Sequence, residues 1–204
     1  MESVANLVKD KYKSVAAPSE GLYKDKGSKF LAFIFPIETE EDVKDHLALI
    51  KKKYFDARHH CYAYRLGCNG EKWRANDDGE PSSTAGKPIL GQIVSNDLSD
   101  VLIIVVRYFG GILLGTSGLI QAYKGASADA IANAQITEKI ASKIYTIEFG
   151  YIQMNEVMKV IKDLKLNILT QNFDNTCTLE VKVRLSMENQ FKELLKNTTI
   201  WQKA

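Results

Sequence analysis

The sequence predicts an α+β protein in two domains, residues 1–137 and 138–204. Three observations predict it. Strand-like and helix-like stretches alternate along the chain, with no long run of either. An alanine-rich helical stretch closes the first part, and the boundary falls near 137 to 142. Beyond that boundary the chain reads β-α-β-β-α, the order of a ferredoxin-like unit.

The elements justify that reading in turn. FLAFIFPI (30–37) is a continuous apolar run closed by Pro36, a buried strand ending at the proline. Thr39 with Asp42 is a capping signature. It opens a helix through Tyr54 whose Val43, Leu47, Ile50 and Tyr54 share a face. HHCYAYRLG alternates as a strand, with His60, Tyr62, Tyr64 and Leu66 on one face and His59, Cys61, Ala63 and Arg65 on the other. A turn at Asn69-Gly70 leads into KWRA as the returning strand. NDDGEPSSTAGKP (76–88) is rich in turn formers and reads as an irregular loop before a short helix at ILGQIVS. VLIIVVRYF, apolar on both faces, is a central strand. LIQAYKGASADAIANA is a helix whose small residues allow it to lie close to a sheet. In the second domain, KIYTIEFGY, ILTQNFDN and TCTLEVKVRL are strands. Asn155 is read as the cap of the first helix and Ser186 as the cap of the second.

Composition narrows the function classes. Hydrophobic residues at 45% and charged residues at 25% are ordinary globular values, and the formal net charge is +2. Residues 1–137 hold 17 basic and 17 acidic groups, and residues 138–204 hold 10 and 8. Binding of nucleic acid through bulk charge is excluded, so any such contact is a local patch. Cys61, Cys68 and Cys177 make neither a disulfide framework nor a zinc-pair spacing, and no metal or cofactor is expected. The opening MESVANLVKDKYKSVAAPSEG lacks the apolar core of a signal peptide. The longest apolar run, VLIIVV, is far below the ~20 residues of a membrane span. A cytoplasmic protein with no membrane partner is the expectation.

Three stretches carry candidate chemistry. In RYFGGILLGTSGLIQAY, Gly110, Gly111, Gly115 and Gly118 stand between a strand and a helix, with Thr116 among them. Bare amides at a helix start bind anions, and glycines also serve tight turns and packing. The lysine of a P-loop is absent, as is the dinucleotide glycine pattern. In the 76–88 loop, Asp77, Asp78 and Glu80 could ligate Mg²⁺ or move protons, and Ser82, Ser83 and Thr84 could be nucleophiles. Such residues also fill turns by bonding their own backbone. In DARHHCYAYR, adjacent His59 and His60 point to opposite faces and cannot share a metal, while His59 and Cys61 share a face. Arg58, Arg65, Lys72 and Arg74 interleave with Tyr62, Tyr64 and Trp73, a mix suited to base stacking with phosphate contact.

HHCYAYRLG, NDDGEPSSTAGKPIL and VVRYFGGILLGTSGLIQAY, in this order and spacing, resemble the signature blocks of the YigZ/IMPACT family. The resemblance covers about residues 15 to 135, and the trailing unit is similar to the second domain of bacterial members. It implies a first domain with the split β-α-β fold of elongation factor G domain IV. It implies a second domain similar to domain V of that factor. Those relatives work on RNA at the ribosome, and eukaryotic IMPACT members act in translational control by modulating a stress-activated kinase. The family's loop usually has lysine where Leu113 stands, glycine where Ser117 stands and arginine where Gln121 stands. Two positive charges are therefore missing beside the anion site, which weakens phosphate gripping by the loop.

Three functions fit these residues. The first is a translation-associated RNA- or ribosome-binding module using Arg58, His59, Arg65, Lys87, Arg107 and the glycine-loop amides. The second is a Mg-dependent enzyme or binder of a phosphorylated small molecule, with Asp77, Asp78 and Glu80 at its centre. The third is a protein-interaction module whose partner is a translation-control protein. No residue is assigned a catalytic role.

Overall fold

The computed structural model describes residues 10–174 and 176–203, so expectations for residues 1–9 lie outside the described residues. Contacts divide the chain into Tyr12–Lys139 and a second unit made of Ile140 onward with Asp10 and Lys11.

The first unit contains β1 (Lys11–Val15), β2 (Ser19–Asp25), β3 (Ser28–Pro36), α1 (Glu40–Lys53), β4 (His59–Leu66), β5 (Lys72–Asn76), α2 (Gly86–Ser95), β6 (Val101–Tyr108), α3 (Gly115–Ala132) and β7 (Ile136–Ile140). β1 and β7 pair as a two-stranded sheet, and the other five strands run in the order β2-β3-β6-β4-β5. Every neighbour in that larger sheet is antiparallel. β3 and β4 therefore run parallel on either side of β6 and are joined by α1, which is the split β-α-β arrangement. The apolar strand lies at the centre of the sheet, buried from Val101 to Val106. A strand covered on both faces loses the period-two alternation, which is why its sequence is apolar throughout.

Three layers result. Val43 and Ile50 of α1 pack with Phe33, Phe35, Leu102, Ile104 and Tyr64 on one face of the sheet. Ile89 and Ile93 of α2, with Leu119, Ala122 and Tyr123 of α3, pack with Ala32, Ile34, Ala63 and Val105 on the other. A side chain at Gly21 would place its Cβ 2.2 Å from the Ala130 nitrogen, so β2 and the alanine-rich helix meet backbone to backbone. α1 starts with the expected box: Asp42 N–H donates to Thr39 Oγ1 at 3.1 Å, and Asp42 Oδ2 accepts from Thr39 N–H at 2.9 Å.

The second unit holds β8 (Ser142–Phe149), α4 (Met154–Asp163), β9 (Asn167–Phe173), β10 (Cys177–Arg184), α5 (Glu188–Leu194) and β11 (Thr199–Gln202). The sheet order β11-β8-β10-β9 makes the unit ferredoxin-like, and the strand TIWQ completes β-α-β-β-α to β-α-β-β-α-β. Its core sets Tyr145, Ile147, Leu179 and Val181 against Val157, Ile161 and Phe191. Both expected helix caps are corrected. Short 3₁₀ turns, Tyr151–Gln153 and Leu185–Met187, precede α4 and α5, so Asn155 lies inside its helix. Ser186 donates its hydroxyl to Asp10 at 2.5 Å. Arg184 also bonds both Asp10 oxygens, at 2.9 and 3.0 Å, and with Ser186 holds that buried carboxyl at about 2, below its ordinary value.

Candidate functional site

The strand register brings the three motif stretches to one end of the five-stranded sheet. His59 opposes Arg107, so β4 begins where β6 ends. The 76–88 loop reaches the same place: Asp78 O lies 2.8 Å from His59 Nδ1, and Asp78 Oδ2 accepts from His60 N–H at 2.7 Å. Arg58, His59, Arg107, Phe109 and Leu113 line a hollow of about 220 Å³ there.

Under that hollow sits a buried polar cluster. Arg107 Nη1 donates to Glu80 Oε1 at 2.6 Å, and Tyr123 O–H donates to the same oxygen at 2.8 Å. Glu80 is 8% exposed and Arg107 7%. Removing one partner of such a buried pair costs about 3–5 kcal/mol, because the other charge is stranded. Arg107 Nε is buried with no acceptor among the described residues, a state that typically costs about 1–3 kcal/mol. Cys61 Sγ lies 3.0 Å from Asp77 O and 3.2 Å from Tyr123 Oη. Burial pushes the Cys61 thiol well above its ordinary value, and Tyr123 is raised in the same way. The shared face of His59 and Cys61 therefore yields no thiolate nucleophile. Burial also lowers the affinity of His60 for a proton, against the pull of its bond to Tyr54 O.

The carboxylates of the 76–88 loop face the chain. Asp77 Oδ1 accepts from Ala85 and Gly86 N–H at 3.0 and 2.8 Å, and Oδ2 from Ser83 N–H at 2.9 Å. Partial burial raises its pKa, yet the three amides outweigh that and hold it below the ordinary carboxylate value. These bonds tie the loop to the start of α2. Thr84 Oγ1 donates to Pro81 O at 2.7 Å, Ser83 has φ 65°, and Ser82 is exposed. Among the described residues no three His, Cys, Asp or Glu side chains gather closely enough to hold a metal ion. The Mg²⁺ reading of Asp77, Asp78 and Glu80 loses its donors to backbone amides and to Arg107.

The glycines divide into two kinds. Gly110 donates its N–H to Ser28 Oγ at 3.1 Å, and a Cβ there would sit 2.0 Å from Gly27 C. Gly110 is a close-packing residue, which corrects its place in the anion set. Gly118 is inside α3, where a Cβ would press on Leu114 Cβ at 2.9 Å. Gly111 and Gly115 have φ 88° and 69° with open space around them, and Thr116 is exposed beside Gly115. Arg65 is a second correction. It lies at the far end of β4, opposite Trp73, and donates to Leu98 O and Asn69 O at 2.9 Å each. Lys87 is exposed near Asp77, at the start of α2.

What the motifs did not mark is an excess of exposed cations at this end, where Asp25, Asp56 and Asp78 also lie. Exposed Lys24, Lys26 and Lys29 surround the β2–β3 turn, Lys51 to Lys53 close α1, and Arg58 precedes β4, all at the end where Arg107 lies. Glu38, Glu40, Glu41, Glu71 and Asp97 are exposed at the opposite end, where β3 finishes and β6 starts. Lys24 and Lys29 stand directly across from each other on adjacent strands, a like-charge placement that costs stability. Exposed Phe55 and Phe109 flank the basic end. The available signal for part of this was three lysines in six residues around Lys26-Gly27.

The fold and this site define a two-domain α+β protein whose three motif stretches meet at a basic end, and comparison with known proteins places it. Residues 26–131 match the Impact N-terminal domain. The chain is 30% identical to the IMPACT family member YigZ of Escherichia coli over 88% of its own length and 89% of that protein's. It is also 30% identical to the family member YvyE of Bacillus subtilis, over 84% of this chain and 79% of the relative. A crystal structure described as that of a hypothetical protein superposes at TM-score 0.72 with 27% identity, covering 97% of this chain and 99% of the other. The chain belongs to the IMPACT family. No helix among the described residues is long and apolar enough to cross a membrane.

Proposed function

We propose that this protein is a translation-associated module that binds RNA, free or in the ribosome, through the basic end of its first unit. One observation carries the reading: the opposed Lys24–Lys29 pair, with Lys26, Lys51 to Lys53 and Arg58, on the end that also bears Phe55 and Phe109. A protein that retains mutually repelling lysines gains from a polyanion that relieves them. Exposed phenyl rings among cations suit unpaired bases. A net charge of only +2 is no objection, because the seven exposed cations of this end outnumber its Asp25, Asp56 and Asp78. Membership of the IMPACT family supports the setting in translation, and a cytoplasmic location follows from that setting.

The experiment is a titration of the purified chain with ribosomes and short single-stranded RNA across a salt series. About three phosphate contacts give a log–log salt slope near −2. Reversing Lys26 and Lys29 together to Glu should cost on the order of tenfold or more in affinity. Reversing Glu40 and Glu41 to Lys should cost nothing. Binding that ignores salt, or that falls equally with both reversals, refutes the reading.

A further inference from the structure

We propose that the hollow formed by Arg58, His59, Arg107, Phe109 and Leu113 receives a phosphate monoester, either the phosphorylated end of an RNA strand or a free mononucleotide. For the source of that phosphate the proposal rests on the RNA-binding reading; for the chemistry it rests on the hollow alone.

Size comes first. At about 220 Å³ the hollow is smaller than the ~300–1,000 Å³ of sites that bury a whole small ligand. It admits a group, with the remainder of the molecule outside.

Charge and donors select the group. Arg107 has a side chain only 9% exposed, and Glu80 holds its Nη1. That clasp fixes the guanidinium while Nε–H is left without an acceptor among the described residues. A guanidinium held this way is a fixed positive charge in the lining of the hollow, which attracts phosphate or carboxylate oxygens. Arg58 adds an exposed cation at the rim. His59 commits Nδ1 to Asp78 O, so Nε2 is its remaining polar atom.

That nitrogen favours a phosphate monoester. Nε2 accepts when the ring is neutral and donates when it is protonated. A monoester's second ionisation lies near 6, so it can offer either an O–H or an oxyanion around neutral pH. A carboxylate or an internal phosphodiester offers only acceptors there. A diester also carries two substituents, whereas a monoester enters a dimple end-on. Phe109 and Leu113, 53% and 82% exposed, supply apolar contact for the sugar or base left outside.

The test uses the full chain and fluorescence anisotropy with one short RNA in three forms: 5′-phosphorylated, 3′-phosphorylated and hydroxyl-ended. AMP, inorganic phosphate and acetate serve as competitors. A phosphorylated end should tighten binding on the order of tenfold. AMP and phosphate, and not acetate, should abolish that increment. Arg58→Ala should abolish it too, with an unchanged circular-dichroism spectrum, since Arg58 is exposed. Arg107→Lys should do the same, and if that variant unfolds, Arg58→Ala decides alone. Preference for the 5′ or 3′ form identifies the end, and AMP binding without any RNA preference identifies the free nucleotide as the source.

Equal affinity of all three RNAs with no AMP binding overturns the proposal, as does acetate competing as well as phosphate. Hydroxyl-ended RNA that binds with a steep salt slope but gains nothing from an end phosphate sinks the hollow and spares the RNA reading. AMP binding with no RNA binding at low salt does the reverse.

Discussion

The 76–88 loop and the glycine loop after β6 meet at the same end of the sheet, and they spend their residues in opposite ways. Asp77 takes three amides of its own loop and of α2, and Glu80 takes Arg107 and Tyr123. The Phe109–Gly115 stretch leaves Phe109, Ile112 and Leu113 exposed and keeps Gly111 and Gly115 in open space. The loop densest in acids and hydroxyls is thus a structural clasp. The loop poorest in polar side chains is the one that faces outward. Density of reactive residue types marks where a chain must satisfy itself as often as where it meets a ligand.

The contrast can be broken most directly at Glu80. Glu80→Ala strands Arg107 and should lower unfolding free energy by about 3–5 kcal/mol in urea melts. A loss under about 1 kcal/mol would mean the pair is no clasp. Asp77→Ala comes next, with a loss of about 2 kcal/mol from the uncapped start of α2 and its loop. This contribution also has a pH signature. The folded carboxyl is held below its ordinary value, so its stabilisation is complete above about pH 4 and fades as pH falls through the depressed value. Wild type and Asp77→Asn should converge in stability below that pH and diverge above it; a constant gap would contradict the assignment. The smallest effect belongs to the outward loop. Leu113→Lys should move stability by no more than about 0.5 kcal/mol. If RNA binds here, the same change should steepen the log–log salt slope by about 0.7.

Much of the fold was legible. Thr39 and Asp42 announced α1 because a capping box is local, closed within four residues. β6 announced its central place because burial on both faces forces an unbroken apolar run. The ferredoxin-like order was readable except for TIWQ, a strand of four residues too short to show a period. The caps of α4 and α5 misled because Asn and Ser favour 3₁₀ turns and helix starts alike.

The site was legible only in outline. The three stretches were readable from their motifs, and their convergence came from the strand register. That Arg65 points to the wrong end was not readable, since it depends on register against β6. Tyr123 gave no signal beyond being one hydroxyl in an alanine-rich helix.

By itself, then, the sequence determined the elements, their faces and the chemistry each motif could offer, because propensity, capping and hydrophobic period act over a few residues. Tertiary structure alone decided which charges are spent and which are free. Glu80 meets Arg107 across 27 positions of chain, and Lys24 meets Lys29 only through strand pairing. Coulomb energy depends on distance in space, and only folding sets that distance.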